Sequence, residues 1–239
     1  MQQQSMSDRA RWIWVLIFAL AMAWMEAAVV FYLRTLVDRI EPYQPRPLPV
    51  ADNLGVVELI REAATMVMLL SVGWLAGKTW RSRLGYVLVA FGAWDIFYYV
   101  FLKPMCGWPR SLFDWDVLFL IPLPWWGPVI SPVSIALLMV LGGTALSQFD
   151  STAEPLWPDR RAVVLNVLGV FLALYVFMSD ALRAAPQGEE AVRNALPTRF
   201  NWPLFLVAWM AMAAPVVDLY RQLWLRRTVL RAQPQRISS

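Results

Sequence analysis

The sequence contains no histidine and a single cysteine, Cys106. The first absence excludes imidazole bases, haem ligation through histidine and His-rich metal sites. The second excludes a disulfide within the chain and any CxxC redox or zinc motif. Charge is scarce as well. Asp, Glu, Lys and Arg make up 16% of the residues, where soluble domains carry about 25%. GxGxxG, Walker, GxSxG and HExxH patterns are all missing, so no nucleotide-binding loop, nucleophile elbow or zincin helix is announced. Any chemistry therefore rests on carboxylates, Arg, Lys, Tyr, Ser or backbone groups. Neither a cofactor nor a metal can be named from these residues, and whether the chain is an enzyme stays open.

What is present is apolar: 59% hydrophobic residues among 239, with 14 Trp and 11 Met. Apolar stretches of about 20 residues cross the ~30 Å hydrocarbon layer as helices, because lipid offers the backbone no other hydrogen-bond partners. Such stretches recur at 12–33, 56–77, 84–102, 117–146, 162–182 and 202–220. They predict an all-α, polytopic bundle of six transmembrane spans. It forms a single domain over 12–224, between a cytoplasmic N-terminus (1–11) and a basic cytoplasmic tail (225–239). The first stretch has the basic start of a signal peptide, but it runs on past "AMA" to Leu33. That length favours a retained helix.

The fourth stretch is broken by Pro122, Pro124, Gly127, Pro128 and Pro132, because proline removes a donor and blocks helix continuation. The expected arrangement is a short helix near 113–121 and a turn through "IPLPWWGP", followed by a full span from about 130 to 147. The turn is either re-entrant or an interfacial loop anchored by Trp125 and Trp126. "GTALS" and "GVFLA" supply small residues suited to helix packing.

With both termini inside, Lys and Arg divide 12 to 9 in favour of the inner side, which has the sign of the positive-inside rule. The "KTWRSR" turn and the basic tail carry the bias. The predicted location is a bacterial inner membrane. Twelve of the 17 acids then fall in the outer half.

Counting rise from the inner boundary places Glu26 at about 21 Å, Glu62 at about 24 Å and Asp95 at about 17 Å. Three carboxylates on three helices thus share one level. Asp95, Tyr99 and Lys103 recur at i, i+4 and i+8, Glu26 and Arg34 lie eight apart, and Glu58 and Glu62 four apart with Arg61 one turn from Glu58. Each set lies on one helix face. A charge at this depth costs at least ~2.5 kcal/mol and so faces the bundle interior and pairs. The expected pairs are Glu26 with Arg61, and Asp95 with Lys103 or Arg34. "FDWD" adds Asp114 and Asp116 on the same side; either also suits a helix N-cap. The candidate ligand-binding set is Glu26, Arg34, Glu58, Arg61, Glu62, Asp95, Tyr99, Lys103, Asp114, Asp116 and Trp125, with Tyr98 and Trp115 as further aromatic wall. The competing reading is an ion-pair network that only holds the helices together.

An acidic and aromatic pocket within the membrane suits a small amphipathic or lipid-like ligand, or the docking of a membrane-protein partner. The alternatives are a carboxylate/metal-dependent enzyme acting on a lipid-linked substrate and a small proton-coupled carrier. Two features weaken them. No DxD or DxxxD pair lies within a span, and no inverted repeat is visible. The expected partners are therefore membrane lipid or a second membrane protein. Nucleic acid is excluded because no basic face exists outside the turns and tail.

Overall fold

A computed structural model describes residues 6–36, 42, 52–119, 123–193 and 195–232. Its long helices are α1 (Asp8–Leu36), α2 (Asp52–Ala76), α3 (Trp80–Cys106), α4 (Ile130–Phe149), α5 (Arg160–Phe177) and α8 (Trp202–Ala232). Between α5 and α8 lie α6 (Ser179–Ala184), a 3-10 turn at Ala185–Gln187 and α7 (Glu189–Arg193). Five helices, α1, α3, α4, α5 and α8, are long and apolar enough to cross a membrane. They are compatible with an integral, multi-pass membrane protein. The second expected span, 56–77, coincides with α2, which is not among those five and carries Glu58, Arg61 and Glu62 in its first half. The tail expected to begin at 225 continues α8 as far as Ala232; residues 233–239 lie outside the described residues.

Small residues set the packing. Val15, Ala19, Ala23 and Ala27 recur every four positions on α1 and are buried, so one narrow stripe turns inward while the remaining faces stay apolar and exposed. α3 is the hub, packed against α1, α2 and α4. Where α3 meets α4 the two backbones nearly touch. A Cβ added at Gly92 would lie 2.5 Å from the Ala136 carbonyl, and one at Gly143 2.5 Å from the Gly85 carbonyl. α5 packs on α8 in the same way, Gly169 against the Ala208 carbonyl. Both small-residue segments singled out in the sequence, "GTALS" and "GVFLA", therefore sit at close helix crossings, as membrane packing requires. α4 also touches α8, which joins the α5–α8 pair to the rest.

Of the segment expected to form a short helix at 113–121, the described residues 113–119 form a turn and a strand instead; 120 and 121 lie outside the described residues. β1 (Trp115–Phe119) pairs antiparallel with β2 (Trp125–Pro128), with Asp116 opposite Gly127 and Val117 opposite Trp126. Two further bonds, Val129 N–H to the Asp114 carbonyl (3.0 Å) and Ile130 N–H to the Leu112 carbonyl (2.8 Å), carry the pairing to the start of α4. The register slips between Val117 and Phe119, and this bulge sorts the side chains. Trp115 and Leu118 pack with the α5–α8 aromatic cluster, whereas Phe119 packs with the α1–α3 core. Simple alternation would have put Leu118 on the face of Asp116; the extra residue turns Phe119 there instead.

At the opposite end of α3, Thr79 and Ser82 form a capping box. Asp150, just past α4, binds back to it. Its carboxylate accepts from the Arg81 Nε (2.7 Å), the Leu156 N–H (2.9 Å) and the Thr79 hydroxyl (2.5 Å). This staple fixes the α3–α4 hairpin from the far end.

Candidate functional site

The charged residues of α1, α2, α3 and the β-hairpin form two adjoining networks. In the first, between α1 and α2, Arg61 pairs with both Glu26 and Glu58. The Thr65 side chain also hydrogen-bonds to Glu26. Glu62, the residue after Arg61, is half-buried on the same helix. The expected partnership of Glu26 with Arg61 is therefore present. It forms because α1 and α2 are antiparallel neighbours that bring both residues to one level.

The second network joins α1, α3 and β1. The Arg34 Nη2 lies 3.2 Å from the Asp116 Oδ1, with side chains 11% and 2% exposed respectively. The guanidinium also sits 4.2 Å above the Trp108 ring. Tyr99, itself buried, hydrogen-bonds to the Asp116 carboxylate. Tyr98 packs edge-on against Tyr99, with centroids 4.9 Å apart. Both networks act on it electrostatically, Arg34 and Asp116 from one and Glu26 and Arg61 from the other.

Asp95 differs from the other acids. Neither expected partner reaches it. Arg34 is held by Asp116, and the Lys103 ammonium donates to the carbonyls of Pro109 (2.6 Å) and Gly107 (3.3 Å). Lys103 lies two turns further out along α3, and its long side chain extends toward the helix end, where it ties down the 107–110 loop. The Asp95 Oδ2 is buried and accepts no hydrogen bond among the described residues. The charged group nearest in effect is another acid, Asp116.

Asp114 and Trp125 stand apart from these networks. The Asp114 carboxylate accepts from the N–H groups of Arg110 (2.7 Å) and Ser111 (3.3 Å). It thus acts as a cap, as the sequence allowed, but of the 110–114 turn and not of a helix. Trp125 lies nearly parallel to Phe177, centroids 6.5 Å apart, and 5.3 Å from Phe119. With Trp115 it joins the cluster of Phe177 on α5, Phe205 on α8 and Phe200 just before α8. The four aromatic residues expected to wall one pocket are therefore divided by the hairpin, Tyr98 and Tyr99 on its α3 side and Trp115 and Trp125 on the other.

Trp108 and Thr65 are members that sequence spacing did not single out. Trp108 follows Gly107, whose φ of 74° is the left-handed conformation that ends a helix. That glycine next to an aromatic residue was the available signal.

Among the described residues, no three Asp, Glu or Cys side chains gather closely enough to hold a metal ion. A cavity of about 170 Å³ lies at the other end of the bundle, between Asp8, Lys78, Thr79, Ser82, Ser147, Asp150, Ser151 and Thr152. Its charged walls satisfy one another: Lys78 and Asp8 are 2.9 Å apart, and Asp150 is saturated by the staple. Compared with models of known families, with curated proteins and with solved structures, the chain gives no match.

Proposed function

We propose that this is a six-span inner-membrane protein, both termini cytoplasmic, that binds a small amphipathic or lipid-like molecule at the outer-half site around Asp95. The observation that carries the reading is the Asp95 Oδ2, buried and accepting no hydrogen bond among the described residues, beside the Arg34–Asp116 and Arg61–Glu26–Glu58 pairs. Buried polar atoms are rarely left unpaired without a functional reason. α2 serves as the sixth span because Arg61 meets Glu26 and Glu58 and so keeps its charges turned toward α1.

The hairpin supports a re-entrant placement. From Asp116 to Phe119 an extended strand advances about 10 Å. The same distance along α3 from Tyr99 is about six to seven residues, which reaches Gly92 or Ala93 near the middle of that helix. Phe119 indeed packs on the core containing Ala93 and Trp94. Non-helical backbone at such depth is tolerated against protein or a polar cavity, and in this reading it covers the Asp95 site. Among the described residues no carboxylate set is gathered to support the metal-dependent enzyme reading, and no feature of the described helices favours the carrier. Docking of a second membrane protein remains the alternative use of the same surface.

The test is native mass spectrometry of the protein released from lipid nanodiscs. The account expects a retained amphiphile, depleted in Asp95→Asn and Tyr98→Ala but not in Asp114→Asn. Release of protein with no adduct beyond the bulk lipid pattern, from all four proteins alike, rejects it.

A further inference from the structure

The site's charge distribution also speaks to the chemistry of what it holds. Arg34 is engaged by Asp116, Arg61 by Glu26 and Glu58, and Lys103 by loop carbonyls. Both intramembrane arginines are thus committed to other carboxylates. Asp95 adds a further carboxyl, with a buried oxygen that accepts no hydrogen bond among the described residues and with Asp116 as the charged group that acts on it. A purely apolar occupant would leave that oxygen unpaired, and an anionic one would add repulsion. A buried carboxylate calls for a donor carrying positive charge. A quaternary ammonium offers no N–H to the orphan oxygen, whereas a protonated amine does. Tyr98, with its ring half-buried beside Tyr99, supplies an aromatic face of the kind that favours a cation.

We infer that the molecule bound at this site carries a protonated amine, and that Asp95 is its carboxylate partner. The inference rests on the amphiphile-binding reading above and refines it. Three probes of equal chain length separate the possibilities: dodecylamine, 1-dodecanol and dodecyl sulfate, each titrated into the protein in nanodiscs with tryptophan fluorescence as readout.

Dodecylamine is expected to bind saturably and to weaken about tenfold or more in Asp95→Asn. It should bind normally in Asp114→Asn, which removes the same charge outside the site. Unaltered dodecylamine binding in a folded Asp95→Asn overturns the inference, because the carboxyl then plays no part in recognition. Equal binding of all three probes, still lost in Tyr98→Ala, overturns the amine assignment but keeps an amphiphile site. No saturable binding of any probe overturns both. Asp95→Glu guards against misfolding as the cause: it retains the carboxylate and should recover part of the amine preference.

Discussion

The Arg34–Asp116 pair is where the account makes its sharpest energetic commitment. Two charges from different elements meet with almost no exposure, 3.2 Å apart, and Tyr99 completes the acceptor's shell. Removing one partner of a buried pair leaves the other uncompensated, which costs about 3–5 kcal/mol. The two single changes should not cost the same. Asp116→Asn leaves a guanidinium that still has the Trp108 ring, an interaction of about 1–2 kcal/mol when desolvated. Arg34 also lies near the end of α1, from which a long side chain can turn toward the interface. We expect about 2–3 kcal/mol for Asp116→Asn. Arg34→Gln strands a carboxylate with a short side chain and should reach about 3–5 kcal/mol. Tyr99→Phe removes one hydrogen bond to a charged group, about 1.5–3 kcal/mol. The double variant Arg34→Gln/Asp116→Asn should recover at least about 1 kcal/mol relative to the sum. Reversible unfolding in mixed micelles, followed by tryptophan fluorescence, measures all four. Additivity within about 0.5 kcal/mol would mean the two residues do not interact, and the hairpin would then lack its polar anchor on α1.

Further predictions concern the frame around the site. Gly143→Ala should destabilise by about 1–3 kcal/mol, as overpacking does, because the added carbon would sit 2.5 Å from the Gly85 carbonyl. Gly142→Ala, whose new carbon meets only the Val216 Cγ2 at 3.3 Å, should be near neutral; thermal unfolding of the two separates them. Arg61→Gln should loosen α2 from α1, seen as faster amide exchange across Asp52–Ala76 with little change in α5 or α8; uniform change in all helices would refute the local role. Burial pushes the Asp150 carboxyl up, but the Thr79 hydroxyl, the Leu156 N–H and Arg81 outweigh it, so it titrates below its ordinary value. A depressed folded-state value stabilises the fold above the unfolded value near pH 4, and the gain is lost as pH falls through the folded one. Asp150→Asn should therefore be less stable than the parent at pH 7, with the gap closing only below about pH 4; a pH-independent gap would contradict the linkage.

The helices were legible because their signal is local. Twenty consecutive apolar residues declare a helix: five of the six stretches coincide with long helices, the fourth does so only from Ile130 onward, and five of the long helices are apolar enough to cross a membrane. Their ends were less legible. α1 begins at Asp8 and α3 at Trp80, since polar residues continue a helix beyond the apolar stretch without marking where it stops. The hairpin was hidden because strand pairing depends on partners distant in sequence, such as Trp115 with Pro128. Prolines announced only that no helix would persist, and the bulge at Val117–Phe119 has no signature in the residue order.

The same locality explains which ion pairs were foreseen. Counting rise along two neighbouring helices was enough to match Glu26 with Arg61. It failed for Asp95, because the residue that captures Arg34 is Asp116, delivered by a strand whose depth no helical count contains. Lys103 was misplaced for a related reason. Spacing put it on the face of Asp95, but the nearby loop carbonyls of Gly107 and Pro109 offered it closer acceptors.

The most direct test is an experimentally determined structure of the full chain in lipid nanodiscs, inspected at the Asp95 carboxylate. The account predicts Arg34 and Asp116 in contact beneath the hairpin, and non-protein density within hydrogen-bonding distance of the Asp95 Oδ2. An Asp95 side chain turned toward lipid, or a hairpin withdrawn from α3 with Arg34 and Asp116 apart, would contradict it.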